Sequence, residues 1–229
     1  MKTVPYRMWV GYYMLLLANQ DVHPKRVLDV CCGTGSMCDL LTREGLEMTG
    51  FDIAPGMIEV AQQKAKKAKQ SITYKVSDAT NFNFGEKYDA AFSFFDSLNN
   101  ITEPAKLQSA IKCVYKHLEP GGSFIFDLNT AFAFEANLFD QQNLRANARL
   151  RYKWEGHYDP ETKIIEVDMK FWKDGEEFSE LHVQRAYSDD EIRAMLQKAG
   201  FVEIRGFNSY TLNPIRARSD RVHYTCIKP

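Results

Sequence analysis

The sequence predicts an α/β fold: a mostly parallel sheet with helices on both faces, interrupted late in the chain by an antiparallel β insert. Over residues 26–127, short apolar strands alternate with amphipathic helical segments, which is typical of a parallel sheet. Over residues 148–187, apolar and polar residues alternate with a period of two between turn sequences, which indicates hairpins. With 229 residues, 45% of them hydrophobic, the chain can form one sizeable core.

The predicted elements follow in a regular order. The first part contains a helix over 9–19, strands over 26–31, 47–52, 71–77, 88–94 and 122–127, and helices over 35–44, 55–69 and 103–118. The insert contains three strand-like segments, 148–158, 163–173 and 177–187. Ser188 and Glu191 form a capping box for a last helix, which Gly200 ends. Strands near 201–207 and 221–228 complete the sheet.

The most informative motif is a strand, turn and helix around the sequence Gly33-Thr34-Gly35. The strand before it carries Asp29, and a second acid, Asp52, ends the next strand 17 residues after Gly35. This is the opening βαβ unit of a nucleoside-binding sheet. The glycines let the backbone approach a ligand closely, and the second carboxylate can accept both hydroxyls of a ribose. The alternative is a turn whose glycines serve backbone geometry alone.

The residues around this turn distinguish two classes of cofactor. A dinucleotide site needs a third small residue so that pyrophosphate sits at the helix N-terminus, and here that position is Cys38. Asp29 would repel a pyrophosphate, but it suits a cation such as the ammonium of a methionine moiety. The pattern D-x-x-C-G-T-G over residues 29–35 resembles motif I of class I S-adenosylmethionine-dependent methyltransferases.

This resemblance covers about residues 26–130, because segments 51–58, 77–80, 88–96 and 119–127 also match the family in order. It implies a Rossmann-like seven-stranded methyltransferase sheet and S-adenosylmethionine as cofactor. It also implies that Asp52 meets the ribose, Met57 the adenine ring and Asp78 the adenine amino group. Cys31 is a departure, since many members have glycine there. The implied cofactor-binding residues are Asp29, Cys31, Gly33, Thr34, Gly35, Asp52, Ile53, Met57, Asp78, Ala79, Thr80 and Phe95.

The position of the insert indicates its role. In an open α/β sheet, ligands bind outside the carboxyl ends of the strands, so an insert that leaves strand five there can cover the reactive methyl group. We therefore expect a cofactor-binding core over residues 1–144 and 188–229, and an acceptor-side cover over 145–187. Segments 182–188 and 96–100 resemble small bacterial methyltransferases with such an insert, a group similar to aminosugar and glycine N-methyltransferases.

Few catalytic groups are required, because the sulfonium is already an activated methyl donor and displacement needs an aligned nucleophile. An amine must arrive unprotonated, and a hydroxyl can need a base. Alternation places His182 and Gln184 on one face of a strand and Arg185 and Tyr187 on the other, so the four cannot line one pocket. His182, Tyr187 and Arg185 also have structural interpretations, as a strand residue, a core residue and half of an ion pair. The candidate catalytic residues are His182, Tyr187 and Asp96, and the candidate substrate contacts are Leu98, Asn99, Asn129 and Arg185.

The composition and the absence of certain motifs restrict the class of methyl acceptor. The net charge is −1, with 29 basic and 30 acidic residues, which argues against a nucleic acid partner. The Asn/Asp-Pro-Pro-Tyr/Phe motif of base N-methyltransferases and a Pro-Cys nucleophile are both absent after strand four. Asp127 and Asn129 are two oxygen ligands without a third, so we expect no metal. The five cysteines lack zinc-like spacing and suit a reducing cytoplasm.

No apolar run is long enough for a membrane span, and nothing at the N-terminus is typical of a signal peptide. In the resembling group, a longer N-terminal segment usually precedes the stretch that matches residues 4–9, and it often lies over the cofactor as a lid. Here either this lid is shortened or the natural start lies upstream. Tyr6 and Trp9 either close the cofactor side or pack the first helix. The sequence thus predicts a cytoplasmic methyltransferase for a small-molecule amine or hydroxyl, of open oligomeric state. The alternatives are an RNA or protein methyltransferase and a non-catalytic S-adenosylmethionine-binding protein.

Overall fold

A computed structural model describes residues 5–145, 148 and 150–229. It contains two sheets, and the larger one provides the scaffold of the protein. The strands are β1 (Arg26–Val30), β2 (Glu47–Asp52), β3 (Thr73–Val76), β4 (Tyr88–Ser93), β5 (Leu118–Asn129), β6 (Gln141–Asn143), β7 (Arg151–Asp159), β8 (Ile164–Lys173), β9 (Glu176–Arg185), β10 (Val202–Asn208) and β11 (Arg221–Ile227).

Helices connect and cover these strands. They are α1 (Tyr6–Asn19), α2 (Ser36–Arg43), α3 (Pro55–Ala68), α4 (Pro104–His117), α5 (Ala131–Glu135) and α6 (Asp189–Ala199), with a short 3₁₀ helix over Ser97–Asn100. The predicted capping box at the start of α6 is present, and Gly200 ends that helix in the left-handed conformation. Within the described residues, no helix is both long enough and apolar enough to span a membrane.

The larger sheet has the order β10-β11-β5-β4-β1-β2-β3. Its first five strands in the chain pair in parallel, whereas β11 runs antiparallel between β5 and β10. One hydrophobic cluster contains residues of α4 and α6, and another contains residues of α1 and α2, each together with strand residues. The predicted seven-stranded sheet with flanking helices is confirmed. The parallel strands all end at one edge, where the loops that follow them can meet.

The smaller sheet is the predicted antiparallel insert, and it follows β5. Its order is β6-β7-β8-β9, so it has one strand more than the sequence predicted. The extra strand, β6, and the helix α5 have only 3 and 5 residues, which is too short to give a readable hydrophobic period. A third cluster, which includes Ile165, Val167 and Met169 of β8, packs this sheet against α5.

Candidate active site

A cavity of about 300 Å³ lies at the carboxyl ends of β1, β2 and β4. Strands of a parallel sheet leave this edge through loops, so their side chains and turn backbone surround it. Seven of the residues predicted to bind cofactor line this cavity, namely Asp29, Cys31, Gly33, Thr34, Asp52, Met57 and Phe95. Tyr6 at the start of α1 also lines it, which brings the first helix to the cofactor side.

Asp52 fixes the shape of the glycine turn. Its Oδ2 atom accepts the backbone N–H of Gly33 at 2.9 Å, and its Oδ1 atom accepts that of Ala54 at 3.0 Å. The carboxylate at the end of β2 therefore holds both the turn after β1 and the approach to α3. An ionised carboxylate has about four lone-pair sites, so it retains capacity for ribose hydroxyls.

Asp29 places a buried carboxyl group in the same cavity. Its side chain is almost inaccessible, and among the described residues its hydrogen-bond partner is the Cys38 thiol, at 3.2 Å from Oδ2. Burial raises the pKa of the Asp29 carboxyl to about 8, because it removes water from the charged form and no cation among the described residues compensates that form. A ligand ammonium would supply that compensation. The residues of this cavity thus fit S-adenosylmethionine, and the prediction remains that Asp29 would meet its amino acid and Asp52 its ribose.

The loop after β4 separates this cavity from a second one. Phe95 and Asp96 both adopt left-handed backbone conformations, with φ of 66° and 50°. Non-glycine residues seldom adopt this conformation, and it costs about 1–3 kcal/mol at each position. Phe95 and Ser97 line the first cavity, whereas Asp96 lines the second. The strained backbone thus directs neighbouring side chains to two different cavities.

The second cavity, of about 430 Å³, lies between the edge of the large sheet and the insert. We call it the acceptor cavity. The core contributes polar and charged residues, and the insert contributes a mostly apolar wall together with His182 and Gln184. Its lining residues are Asp96, Asn129, Ala133, Leu138, Phe139, Gln141, Trp154, Val167, Met169, His182, Gln184, Asp220 and Arg221.

Asp96 is the centre of a polar network in this cavity. Its Oδ1 atom accepts from Arg221 Nη2 at 2.8 Å, and its Oδ2 atom accepts from Gln184 Nε2 at 2.7 Å. Arg221 also forms an ion pair with the buried carboxylate of Asp127. His182 is less constrained, since its side chain is 46% exposed and its Nε2 lies 3.3 Å from a carboxylate oxygen of Glu180.

Comparison with known proteins agrees with the fold and the first cavity. A family model described as a methyltransferase domain matches residues 27–122. A Geobacillus sp. (strain WCH70) protein named as a methyltransferase is 26% identical over 234 residues, which cover 100% of this chain and 95% of the relative. The chain is a class I S-adenosylmethionine-dependent methyltransferase.

Two solved structures share the fold of this methyltransferase. A S-adenosylmethionine-dependent methyltransferase from Clostridium acetobutylicum superposes with a TM-score of 0.89 at 23% identity, over 99% of this chain and 93% of the other. CalS10, an amino pentose methyltransferase from Micromonospora echinaspora, superposes with a TM-score of 0.81 at 16% identity, over 100% of this chain and 93% of the other.

Two turn residues of the methyltransferase have left-handed backbone for different reasons. Gly35 has a φ of 70°, and a Cβ atom there would lie 2.2 Å from the hydroxyl oxygen of Tyr74, so only glycine fits. Cys31 has a φ of 62°, lines the first cavity and packs its side chain against the core despite the steric cost. A glycine would adopt this conformation freely, and this is the position at which many family members have one.

We therefore expect Cys31→Gly to leave the free energy of unfolding within about 1 kcal/mol of wild type, because relief of left-handed strain offsets the added chain entropy. The control is Cys32→Gly at the adjacent position, whose φ is not positive. It should destabilise the protein by about 1–2 kcal/mol, because it loses packing and gains chain entropy. Urea denaturation measures both variants. Equal destabilisation by the two changes would contradict strain at Cys31.

The five remaining predicted cofactor residues do not line the cavity, namely Gly35, Ile53, Asp78, Ala79 and Thr80. Ile53 is 67% exposed, and Ala79 is buried in the core. Asp78 accepts the backbone N–H of Thr80 at 2.8 Å, and the Thr80 carbonyl accepts from the Cys113 thiol at 3.5 Å. Thr80 lines a separate groove beside α4. These residues shape the loop after β3, and adenine contact by Asp78 stays a prediction.

Four residues predicted on the acceptor side are placed elsewhere by the structure. Tyr187 is buried, its pKa is raised by burial, and its hydroxyl donates to the carbonyl of Ile101. Arg185 donates to the Thr162 carbonyl at 2.8 Å and lies 3.6 Å from Glu191. Arg185 lies on the strand face opposite His182 and Gln184, as alternation requires, whereas Tyr187 follows the end of β9.

Leu98 and Asn99 serve the packing of the 3₁₀ helix. Leu98 is buried in the core. Asn99 donates through Nδ2 to the carbonyls of Asn129 and Arg185, at 3.1 and 2.8 Å, and accepts the Asn129 N–H at 3.0 Å. With its amide occupied, Asn99 joins the core to the insert and is not directed at a ligand. Asn129, Asp96 and His182 do line the acceptor cavity.

The two residues whose side chains hold Asp96, Gln184 and Arg221, are missing from the predicted site. Gln184 could have been predicted from the sequence, because alternation places it on the same strand face as His182. Arg221 had no such signal, since it begins a strand far along the chain and reaches Asp96 only because β11 pairs with β5, where Arg221 lies opposite Asn129. Its role depends on the sheet topology and on no local motif.

Proposed function

We propose that this methyltransferase transfers a methyl group to the nitrogen of a small-molecule amine bound in the acceptor cavity. The observation that carries the proposal is the charge of that cavity. Among the described residues around it, the guanidinium of Arg221 is shared by Asp96 and Asp127, and Asp220 adds a third carboxylate. One guanidinium facing three carboxylates leaves an excess of negative charge, which favours a cationic ligand.

The size of the cavity supports a small acceptor. Its volume of about 430 Å³ lies within the range of about 300–1,000 Å³ that is usual for small-molecule sites. A polynucleotide or a folded protein would have to dock outside the insert. The structural neighbour CalS10 is an amino pentose methyltransferase, which also favours a small amine. Residues 145–187 would then act as the acceptor-side cover, and a hydroxyl is the alternative acceptor group.

In this proposal the first cavity holds the methyl donor and the acceptor cavity holds the amine. S-adenosylmethionine, when bound near Asp29 and Asp52, supplies a methyl group activated by its sulfonium. In the proposed complex, Asp96 accepts a hydrogen bond from the acceptor ammonium while Arg221 and Gln184 hold its carboxylate in place. The amine must lose a proton before it attacks. His182 is half-exposed and lies next to Glu180, so it can pass that proton to solvent.

A screen for transfer tests the proposal. Small amines, sugars, phenols and RNA are offered with the donor, and S-adenosylhomocysteine is measured. We expect turnover with small amines. Asp96→Asn should lower kcat/KM for the amine about 10- to 100-fold, since a hydrogen bond to a charged group contributes about 1.5–3 kcal/mol, while donor affinity stays unchanged.

The control is Glu166→Gln, which removes an exposed carboxylate from the opposite face of the insert sheet. It should leave kcat/KM as in wild type. Turnover with RNA or a hydroxyl compound but with no amine would contradict the proposal. Donor binding without product from any acceptor would favour a non-catalytic binding protein.

A further inference from the structure

The inner face of the insert sheet, which faces the acceptor cavity, is built in rows across the strands. Register aligns Val167 with Gly156 and His182, and it aligns Met169 with Trp154 and Glu180. Val167, His182, Met169 and Trp154 line the acceptor cavity. The next row outward consists of three aromatic residues, Tyr152, Phe171 and Phe178, and we call it the aromatic rim.

The aromatic rim is continuous with the cavity wall. The Phe171 and Phe178 rings are stacked, with centroids 5.1 Å apart and planes 13° apart. Trp154 connects this pair to the cavity, since its ring lies 6.2 Å from that of Phe171 and 5.4 Å from that of Tyr152. Phe178 is nevertheless 46% exposed. The row next to the cavity wall therefore leaves part of an aromatic side chain exposed to solvent.

The aromatic rim lies on the inner face of the sheet. The outer face of the same strands carries alternating charges, which include Lys153, Glu155, Asp168 and Lys170. A cross-strand aromatic pair alone would stabilise the hairpin whether or not it adjoined a cavity. Here, however, the aromatic row adjoins a cavity, because Trp154 lines the acceptor cavity and its ring lies beside those of Phe171 and Tyr152.

From these features we propose that the acceptor carries a planar apolar part that binds against the aromatic rim while its amine lies near Asp96. This rests on the proposed function, because it concerns the same acceptor. Phe178 and His182 lie four residues apart on one strand, which corresponds to about 13 Å. The acceptor is thus an extended molecule with an amine at one end and an aromatic group at the other.

The test uses two series of amines with the donor present. One series is ω-phenylalkylamines of increasing chain length, and the other is n-alkylamines of matching length. We expect kcat/KM to rise at least 10-fold along the phenyl series once the ring reaches the rim, and to rise less along the alkyl series. Equal slopes in the two series would overturn the proposal.

Two variants localise the effect. Phe178→Ala should lower kcat/KM for the longest phenylalkylamine about 10-fold, mainly through KM, and leave the shortest amine unchanged. Phe178→Tyr keeps the ring and should retain wild-type values. The control is Leu181→Ala, which removes an apolar side chain that is 55% exposed on the outer face of the same strand. Loss with short and long amines alike in Phe178→Ala would indicate a structural role and overturn the proposal.

A binding measurement separates this inference from the proposed function. Calorimetry in the presence of S-adenosylhomocysteine measures the binding of the longest phenylalkylamine without turnover. The rim is therefore tested even if no amine is methylated. We expect affinity to fall about 10-fold in Phe178→Ala. Sedimentation of the free protein tests the alternative that a second copy of the chain occupies the rim. A dimer that dissociates in Phe178→Ala would assign the rim to a second copy of the chain and overturn the proposal.

Discussion

Replacing Asp52 by alanine should weaken the binding of S-adenosylmethionine at least about 100-fold. The change removes the carboxylate predicted to accept the ribose hydroxyls, and each charge-assisted hydrogen bond contributes about 1.5–3 kcal/mol. It also frees the backbone N–H groups of Gly33 and Ala54, which the carboxylate holds at 2.9 and 3.0 Å. The turn that shapes the cavity would then lose its support. Titration calorimetry with S-adenosylmethionine measures the effect.

The control for Asp52 lies on the same strand. Glu47 begins β2, and its exposed carboxylate forms a surface ion pair with Lys25. Glu47→Ala should leave donor affinity within about twofold of wild type, because exposed ion pairs contribute little. Circular dichroism should show that both variants are folded. Equal affinity in Asp52→Ala and wild type would contradict the assignment of Asp52 to the cofactor site.

Replacing Asp29 by asparagine should make the free protein more stable at pH 8, by about 2–4 kcal/mol. The pKa of the buried carboxyl is about 8 in the folded protein, against 3.8 for an ordinary aspartate. The folded state therefore binds more protons than the unfolded state between these values, so wild-type stability falls as the pH rises from about 4 to about 8. Each unit of pKa difference corresponds to about 1.4 kcal/mol, and partial access of water to the cavity reduces the full value.

Thermal unfolding as a function of pH measures this. The gap between Asp29→Asn and wild type should widen from pH 5 to pH 8, reaching about 5–10 °C in Tm, and then stay constant. With S-adenosylmethionine bound, wild type should be more stable than the variant. The ligand ammonium compensates Asp29, and Asp29→Asn should bind S-adenosylmethionine about 10- to 100-fold more weakly. Glu44→Gln at an exposed position is the control and should show no such pH dependence. A gap that does not change with pH would rule out an uncompensated carboxyl at position 29.

The roles of the residues on the acceptor side depend on contacts between segments that are far apart in the chain. Gln184 and Arg221 meet the Asp96 carboxylate from 88 and 125 residues away in the chain. Alternation correctly separated the face of His182 and Gln184 from that of Arg185, but it could not show that β9 ends before Tyr187 or which face adjoins the core. The side chain of Asn99 looked available in the sequence, yet the folded chain uses it to join β5 and β9. Burial and hydrogen bonding by distant segments decided these roles.

The sequence by itself determined the fold class, the methyl donor and the position of the insert. Their determinants are local: one βαβ unit holds Asp29, the glycine turn and Asp52, and a change of hydrophobic period marks the insert. Only the tertiary structure decided the composition of the acceptor cavity, the strained backbone at Phe95 and Asp96, and the aromatic rim. The physical reason is that a turn motif depends on residues close in the chain. A cavity between two sheets depends on strand register and on packing between segments that no local pattern connects.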